Sequence, residues 1–531
     1  MSKRLRNRVA LLATLWATAL VLAACIASIS SGVRITERDK SALRDQATRS
    51  GNAVVRSPVK VHLADGSTIV YPQGIRVSGG VILPTGAARR SGPLNENVPV
   101  GSVPLDSVLG LESFHTNVNV PGSLVLSTLG TVAGFVGAVG LGVLIFGSCP
   151  TIYADSAGTP TLQAEVFATR ISPLLEARDV DLLTARPDSA GILILEVRNE
   201  ALETHYINHF ELLEVRHTRD QRLIPDEHGR PLLVAAVESP ASARDRAGRD
   251  LGRTLARVDG DVFSTDSGTL ARASGTDPND YIDIAVPRPP TDSAVVMLRL
   301  RNSLLNTVLL YEMMLAAPGA RSLDWLAQDM KRIGPMLQFG RWYRRHFGLR
   351  VSVFDGRAFR EVERHPTYGP VAWRQAATVV PVLERDSLRI RLAFAADEWR
   401  IDQVEIAHRF TRPRPRSIGI ERVRATNDSV AAVTRRNLTA ADERYLQTSP
   451  GERFWISFRT GPAPVDSARS FLLTSQGWYS EWIRGSWVKQ ATDSVPFKPS
   501  ASALDRTLRR WEAQRDSLDR AFFATRVPVK P

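Results

Sequence analysis

The sequence predicts a mainly β chain with helical insertions, and three observations carry that expectation. Short runs that alternate apolar and polar residues recur along most of the length, as in "VKVHL", "GILILEVRN" and "YIDIAVP", and period two is what a strand with one buried face requires. These runs are rich in β-branched residues and are separated by Gly, Pro, Asp and Ser turns. A sustained helical period is confined to a connector at 321–348 and a stretch at 501–524. The expected parts are a small SH3-like or LSm-like barrel, one membrane-type helix, two β-sandwich-like domains and a C-terminal amphipathic helix. With 531 residues the chain can support several separate cores.

The first 25 residues read as a targeting segment. Lys3, Arg4, Arg6 and Arg8 form a basic start, and residues 9–24 form an apolar run too short for a comfortable membrane span. The run ends in Leu22, Ala23, Ala24 and Cys25, which resembles the lipobox of bacterial lipoproteins. That resemblance implies lipidation of the Cys25 thiol and cleavage before it; the plainer alternative is an uncleaved signal anchor. Residues 26–55 are polar and read as a tether or a short exposed helix. A second apolar segment, 123–148, contains no charge and is long enough to cross a bilayer. Gly130, Gly134, Ala138 and Gly142 recur every four residues there, giving one flat face on which a second copy of the helix could pack. The competing reading is a glycine-rich buried element. Membrane lipid is thus an expected partner, self-association a further one, and a bacterial cell envelope with most of the chain periplasmic is the expected location.

Between these anchors, residues 56–113 carry the hairpin signals Asp65-Gly66 and Gly79-Gly80 and form the expected barrel. Residues 150–320 read as a β-sandwich-like domain. In the helical connector, Ser322 is placed to cap "LDWLAQDMKRI" and Gly334-Pro335 to break it. Residues 349–410 read as a jelly-roll-like β region, 411–420 as a Pro-interrupted linker, and 421–500 as a Trp-rich β region. The stripe Leu504, Leu508, Trp511, Leu518 and Phe522 marks the last helix.

Two resemblances bear on this layout. A DG-turn module ending in "PLDSV", a Gly-rich apolar segment and the junction "GSCPTIY" resemble a set of uncharacterised bacterial envelope proteins, as do "RNEALETHYI" and the Trp-rich C-terminal region. This implies an architecture and an address, and no activity. The pattern "LRIRL…WRIDQVEI" resembles the closing strands of galactose-binding-like jelly rolls, which implies two paired strands near one sheet edge and a binding role.

A net charge of +13 would suit nucleic acid, yet only 7 of the 68 basic residues are lysine and the arginines are interspersed with carboxylates. Nucleic acid is therefore not expected; the arginine skew fits a GC-rich genome, and the alternative is an acidic partner or anionic lipid surface. With two cysteines, one of them Cys25, no disulfide framework is available. The metal candidates are His205, His209 and His217, with Glu203 nearby, because an H-x-x-x-H spacing places two imidazoles on one face of a helix or a regular strand. The alternative is a set of turn or surface histidines. "RWYRRHF" mixes cations and rings at what reads as a helix C-terminus, where basic residues also offset the macrodipole. Trp478, Tyr479, Trp482 and Trp487 could stack on sugar rings, against the alternative of core packing. No phosphate loop, G-x-S-x-G elbow, H-E-x-x-H or C-x-x-C is present, and no cofactor is implied. The expected function is a membrane-anchored envelope module that binds or assembles, with an envelope protein or glycan as partner. The rival is a carbohydrate-active enzyme with a carboxylate pair in an interdomain cleft. Convergent acids beside Trp478 or Trp482 would favour the enzyme, and a continuous exposed aromatic face would favour the binder.

Overall fold

The computed structural model describes residues 33–34, 44–45, 47–49, 53–55, 59–63, 68–71, 75–86, 88–91, 98–99, 101–113, 149–156, 158–201, 203–273, 277–322, 325, 332–425, 428–442, 444–448, 451–462, 466–481 and 497–524. The chain divides into two compact units, Met1–Gly142 with Pro318–Met336 and Ile483–Pro496, and Val143–Ala317 with Leu337–Trp482 and Phe497–Pro531.

In the first unit the strands form two antiparallel sheets. Sheet A runs Val33–Arg34, Val108–Ser113, Val59–Leu63, Thr68–Tyr71, Arg89–Ser91, Val98–Pro99, and sheet B runs Ala53–Val55, Ile75–Ser78, Val81–Pro84, Val103–Pro104. Both expected hairpins are present: Val59–Leu63 pairs with Thr68–Tyr71, and Ile75–Ser78 with Val81–Pro84 across Gly79 and Gly80, which take φ of +55° and +76°. Alternation puts Val59, Val61, Leu63, Ile69 and Tyr71 of sheet A in one core with Ile75, Val77 and Ile82 of sheet B. Each such burial contributes roughly 1.5–3 kcal/mol. Ala47 joins that core and Ala53–Val55 joins sheet B, so part of the stretch expected as a tether belongs to the folded unit.

The second unit holds four further sheets. Sheet C runs Thr159–Glu165, Thr151–Ser156, Ile192–Arg198, Arg453–Arg459, Arg422–Arg424. Sheet D runs Ala177–Leu183, Ala468–Glu481, Glu203–His217, Arg416–Ile418, with Leu446–Thr448 also on Glu203–His217. Sheet E runs Arg222–Pro225, Pro231–Glu238, Trp399–Thr411, Ser293–Asn302, Arg374–Pro381, and sheet F runs Ser242–Asp245, Asn279–Pro287, Ser387–Ala395, Leu349–Phe354, Phe359–His365. Sheets E and F enclose one large apolar core that includes Val296, Leu298, Ile401 and Val404 from E and Ile284, Val351, Ile390 and Phe394 from F. Sheet E also meets sheet D, through Leu223 and Leu233 against Leu213, Val215 and Leu472.

Local pairs form within the consecutive stretches 150–320, 349–410 and 421–500, but none of the four sheets is confined to one of them. Sheets C and D draw on 151–217 and 416–481, whereas E and F draw on 222–411. The E/F sandwich is an insertion: the chain leaves sheet D at His217 and returns at Arg416, which pairs with Glu214. The stretch 411–420 is correspondingly short as a connector, because Thr411 ends one strand and Arg416 begins the next.

One other expectation is corrected. Ser387–Ala395 and Trp399–Thr411, which carry "LRIRL…WRIDQVEI", are not paired at an edge but lie inside opposite sheets of the E/F sandwich. Asp397, at φ +61° in the connection, makes that crossover. Pro335 sits in the first turn of the helix Ile333–His346, where its missing N–H costs nothing. The Ser322 hydroxyl donates to the Gly319 carbonyl at 2.7 Å, and residues 323, 324 and 326–331 of the helix it is expected to cap lie outside the described residues. Among the described residues no helix is long and apolar enough to cross a membrane, and 123–148 lies outside them. The final helix, Ala501–Ala524, buries all five residues of its stripe and rests on the short helices Ser267–Ala273 and Leu305–Val308. Trp511 Nε1 anchors it to the E/F sandwich by donating to Asp397 Oδ2 at 2.8 Å.

Candidate ligand-binding face

The strand Glu203–His217 carries all three candidate metal ligands but does not gather them. Its pairing with Ala468–Glu481 slips between Ile207 and His209, so Asn208 bulges and the side-chain alternation reverses. His205 and His209 therefore face opposite sides of sheet D. His217 lies eight residues beyond His209, roughly 26 Å along a strand. His205 is fully enclosed, with Nε2 3.2 Å from Glu203 Oε2, and burial pushes its pKa down to about 3, leaving it neutral. His217 is held by the Thr218 carbonyl at Nδ1 and by Ser470 Oγ at Nε2, 2.8 and 3.0 Å away.

The aromatic candidates divide similarly. Trp478 is 2% exposed and stacks on its cross-strand partner Tyr206 with ring centres 3.9 Å apart, and Tyr479 is also buried. These two rings are core, not a platform. Trp482, Trp487, Cys25, Gly130, Gly134, Ala138 and Gly142 lie outside the described residues.

Asp181 and Glu398, two acids with raised pKa values, are enclosed as well. Arg374 Nη2 lies 2.8 Å from both Asp179 Oδ1 and Asp181 Oδ1, with the guanidinium 4.4 Å over the Tyr368 ring. Burial, and then the charges of Asp179 and Glu165, raise Asp181 to about 7 against the pull of Arg374. Glu398, raised to about 7 by burial, accepts from the Gly348 N–H and the Thr367 hydroxyl at 2.8 and 3.2 Å. Away from solvent, Glu398 is tied to backbone and side-chain donors and Asp181 to Arg374 through Oδ1, as structural ties between elements. The Cys149 thiol is buried too, and burial with the charges of Glu203 and Glu165 holds it far from ionisation.

The exposed basic groups of sheet C sit toward its Arg422–Arg424 edge, beyond Tyr153 and Glu196, which are buried. In Arg453–Arg459 the alternation buries Phe454, Ile456 and Phe458 and turns Arg453, Trp455, Ser457 and Arg459 outward. Register then builds a row across all five strands: Leu162, Tyr153, Glu196, Trp455, Arg424. Arg424 and Arg453 stack on Trp455 with guanidinium carbons 4.1 and 4.9 Å from the ring, and Arg198 stacks on Tyr153 at 4.2 Å. Glu196 accepts from Arg198 Nη2 at 2.7 Å and Arg453 Nη1 at 3.1 Å. On the edge strand, Arg422 and Arg424 are exposed and have no carboxylate partner among the described residues.

Sheet F offers an instructive contrast. Arg391 lies between Tyr281 and Phe359 at 3.9 and 4.2 Å, but its Nε and Nη2 donate to Asp283 at 2.7 and 2.8 Å in a two-pronged ion pair. Arg389, over Phe354, is likewise closed by Glu384. The face of sheet C retains guanidinium donors pinned by a ring and free to meet an incoming oxyanion. Sequence reasoning passed over Trp455, although a tryptophan in the polar phase of an alternating run is a readable signal for an outward ring.

No family model matches the chain, and no curated protein matches it. Among solved structures, an isomalto-dextranase of Arthrobacter globiformis T6 complexed with panose is similar at 10% identity and a TM-score of 0.17, over 44% of this chain and 36% of that one. An exo-β-1,3-galactanase of Phanerochaete chrysosporium with β-1,3-galactotriose aligns at 9% identity and a TM-score of 0.14, over 67% and 82%. The infectious bursal disease virus Gx strain structure aligns at 9% and 0.15, over 71% and 83%. The chain spans about a third of the length of the first of these, and likenesses at this level carry no activity to it.

Proposed function

We propose that this chain is a membrane-anchored cell-envelope protein that works by binding, and that the outer face of sheet C receives an anionic envelope glycan. The observation that carries the reading is the edge pair Arg422 and Arg424, exposed and without carboxylate partners among the described residues, beside Trp455 in a row that already holds Tyr153 and Glu196. Stacking on the ring restricts the Arg424 guanidinium, so less freedom is lost when its donors take up a carboxylate or phosphate. The excess of positive charge favours the same partners. Catalysis by a carboxylate pair is the weaker reading, because Asp181 and Glu398 are enclosed and engaged. Lipid at Cys25 and a membrane helix over 123–148, associating through Gly130, Gly134, Ala138 and Gly142, are the anchors we infer from sequence.

The test uses the purified full chain, titrated with polygalacturonate as a carboxylated glycan and with neutral dextran. Saturable, salt-weakened binding of polygalacturonate alone is expected, with affinity falling about tenfold or more in the Arg422→Gln, Arg424→Gln double variant, in keeping with two lost charge-assisted contacts. Equal binding by wild type and double variant would remove sheet C as the site.

A further inference from the structure

The turn at 226–229 joins Arg222–Pro225 to Pro231–Glu238 in sheet E and brings two side chains beside Phe359–His365, the edge strand of sheet F. His228 Nε2 lies 3.6 Å from Glu227 Oε1 and 3.5 Å from Glu363 Oε2. Those separations are too long for N–H···O hydrogen bonds. They match the spacing of neighbouring donors around a tetrahedral ion, which is roughly 3.4 Å for bonds of about 2.1 Å. One ligand atom from each of the three residues falls within 4.8 Å of the others.

A second observation points the same way. The Glu227 side chain is only 6% exposed, and its Oε2 is buried with no hydrogen-bond partner among the described residues. A buried carboxylate oxygen with no donor is costly to keep, and a bound cation removes that cost. Of the nearby arginines, Arg412 is committed to Asp226, and Arg230 divides between Asp226 and a long ion pair to Glu227 Oε1. Arg230 Nε and Arg412 Nη1 donate to Asp226 Oδ2 at 2.8 and 2.9 Å, and Arg230 Nη2 stops 3.7 Å from Glu227 Oε1. The turn itself is stiff, because Asp226 Oδ1 accepts from the His228 and Arg230 N–H groups at 3.0 and 2.8 Å.

We propose that Glu227, His228 and Glu363 bind one divalent first-row transition metal ion, with zinc as the ion of choice. One imidazole nitrogen with two carboxylate oxygens is a donor set suited to zinc and its neighbours and ill suited to soft copper(I). His228 is 55% and Glu363 32% exposed, so the remaining coordination position opens to solvent and takes water or a ligand oxygen.

The experiment titrates zinc chloride into chelator-treated full chain by calorimetry, with cobalt(II) visible absorption as the readout of coordination geometry. One zinc per chain is expected, with cobalt bands of a four- or five-coordinate site. His228→Ala and Glu363→Gln, both at solvent-accessible positions, should each weaken zinc binding by at least about tenfold, the range seen when support around a metal is lost. His217→Ala should leave it unchanged. Absence of saturable zinc binding by wild type, or wild-type affinity retained in both ligand variants, would overturn the site.

Discussion

Asp181 shows how a single buried group sets a pH dependence. Its carboxyl shares Arg374 with Asp179, and one guanidinium cannot neutralise two carboxylates placed 2.8 Å from it. The folded pKa is about 7 against an ordinary value of 3.8. Between those two values the unfolded chain has released the proton and the folded chain still holds it, so this group's contribution to stability falls as pH rises through that window. Above pH 7 the folded state carries the full penalty, at most about 4 kcal/mol for a shift of this size. Asp181→Asn should therefore match wild type near pH 4 and exceed it progressively toward pH 8, while Asp179 keeps Arg374 paired. Urea midpoints at pH 4, 6 and 8 measure this, and a variant weaker than wild type at pH 8 would show that Asp181 is needed in its ionised form.

At the scale of elements, the turns were more legible than the registers. Three tight turns share an Asp-x-x-Gly pattern, at Asp188–Gly191, Asp226–Gly229 and Asp245–Gly248. In each, the glycine N–H donates to the aspartate carbonyl, at 3.0, 2.8 and 2.9 Å, while Oδ1 accepts the N–H of the following residue at 2.8 Å. Gly191, Gly229 and Gly248 all take positive φ, a conformation that suits glycine. Period two likewise foretold which residues of Arg453–Arg459 point inward. The bulge at Asn208 was not foretold, because nothing in "HYINHF" distinguishes a bulged from a regular strand, and that one extra residue separates His205 from His209. Nor could the period show that "LRIRL" and "WRIDQVEI" belong to opposite sheets, since both pairings bury the same faces. The repeated turn supplies an internally controlled prediction. A Cβ at Gly248 meets nothing within 4 Å, whereas one at Gly191 falls 2.2 Å from the Gly461 carbonyl oxygen. Gly248→Ala should cost about 1–2 kcal/mol for the left-handed backbone alone. Gly191→Ala adds a clash with main chain that cannot rotate away, and should cost at least about 1 kcal/mol more by analogy with overpacked sites. Chemical denaturation of both variants in parallel checks the difference.

For the whole molecule, the decisive feature is which contacts are local in sequence. In the first unit every residue of the shared core lies between Ala47 and Val108, and the hairpins that carry it close over a few residues. Low contact order of this kind permits folding without the rest of the chain. The second unit is built the other way. Thr151–Ser156 and Ile192–Arg198 complete their sheet only with Arg453–Arg459, and Ala177–Leu183 pairs with Ala468–Glu481. Ser293–Asn302 likewise lies between Arg374–Pro381 and Trp399–Thr411. A fragment cut at 150–320, the boundary that the run of strands in the sequence suggests, therefore leaves central strands with unpaired backbone groups and exposed apolar faces. The expected outcome is a contrast between two fragments. Residues 33–113 should give a dispersed amide spectrum by NMR and a cooperative thermal transition. Residues 150–320 should aggregate or remain undispersed, and should gain structure only when 337–481 is supplied in the same chain. Dispersion from the 150–320 fragment alone would mean that the distant strands add to a fold already complete, and the nested arrangement would then be a docking of two finished domains.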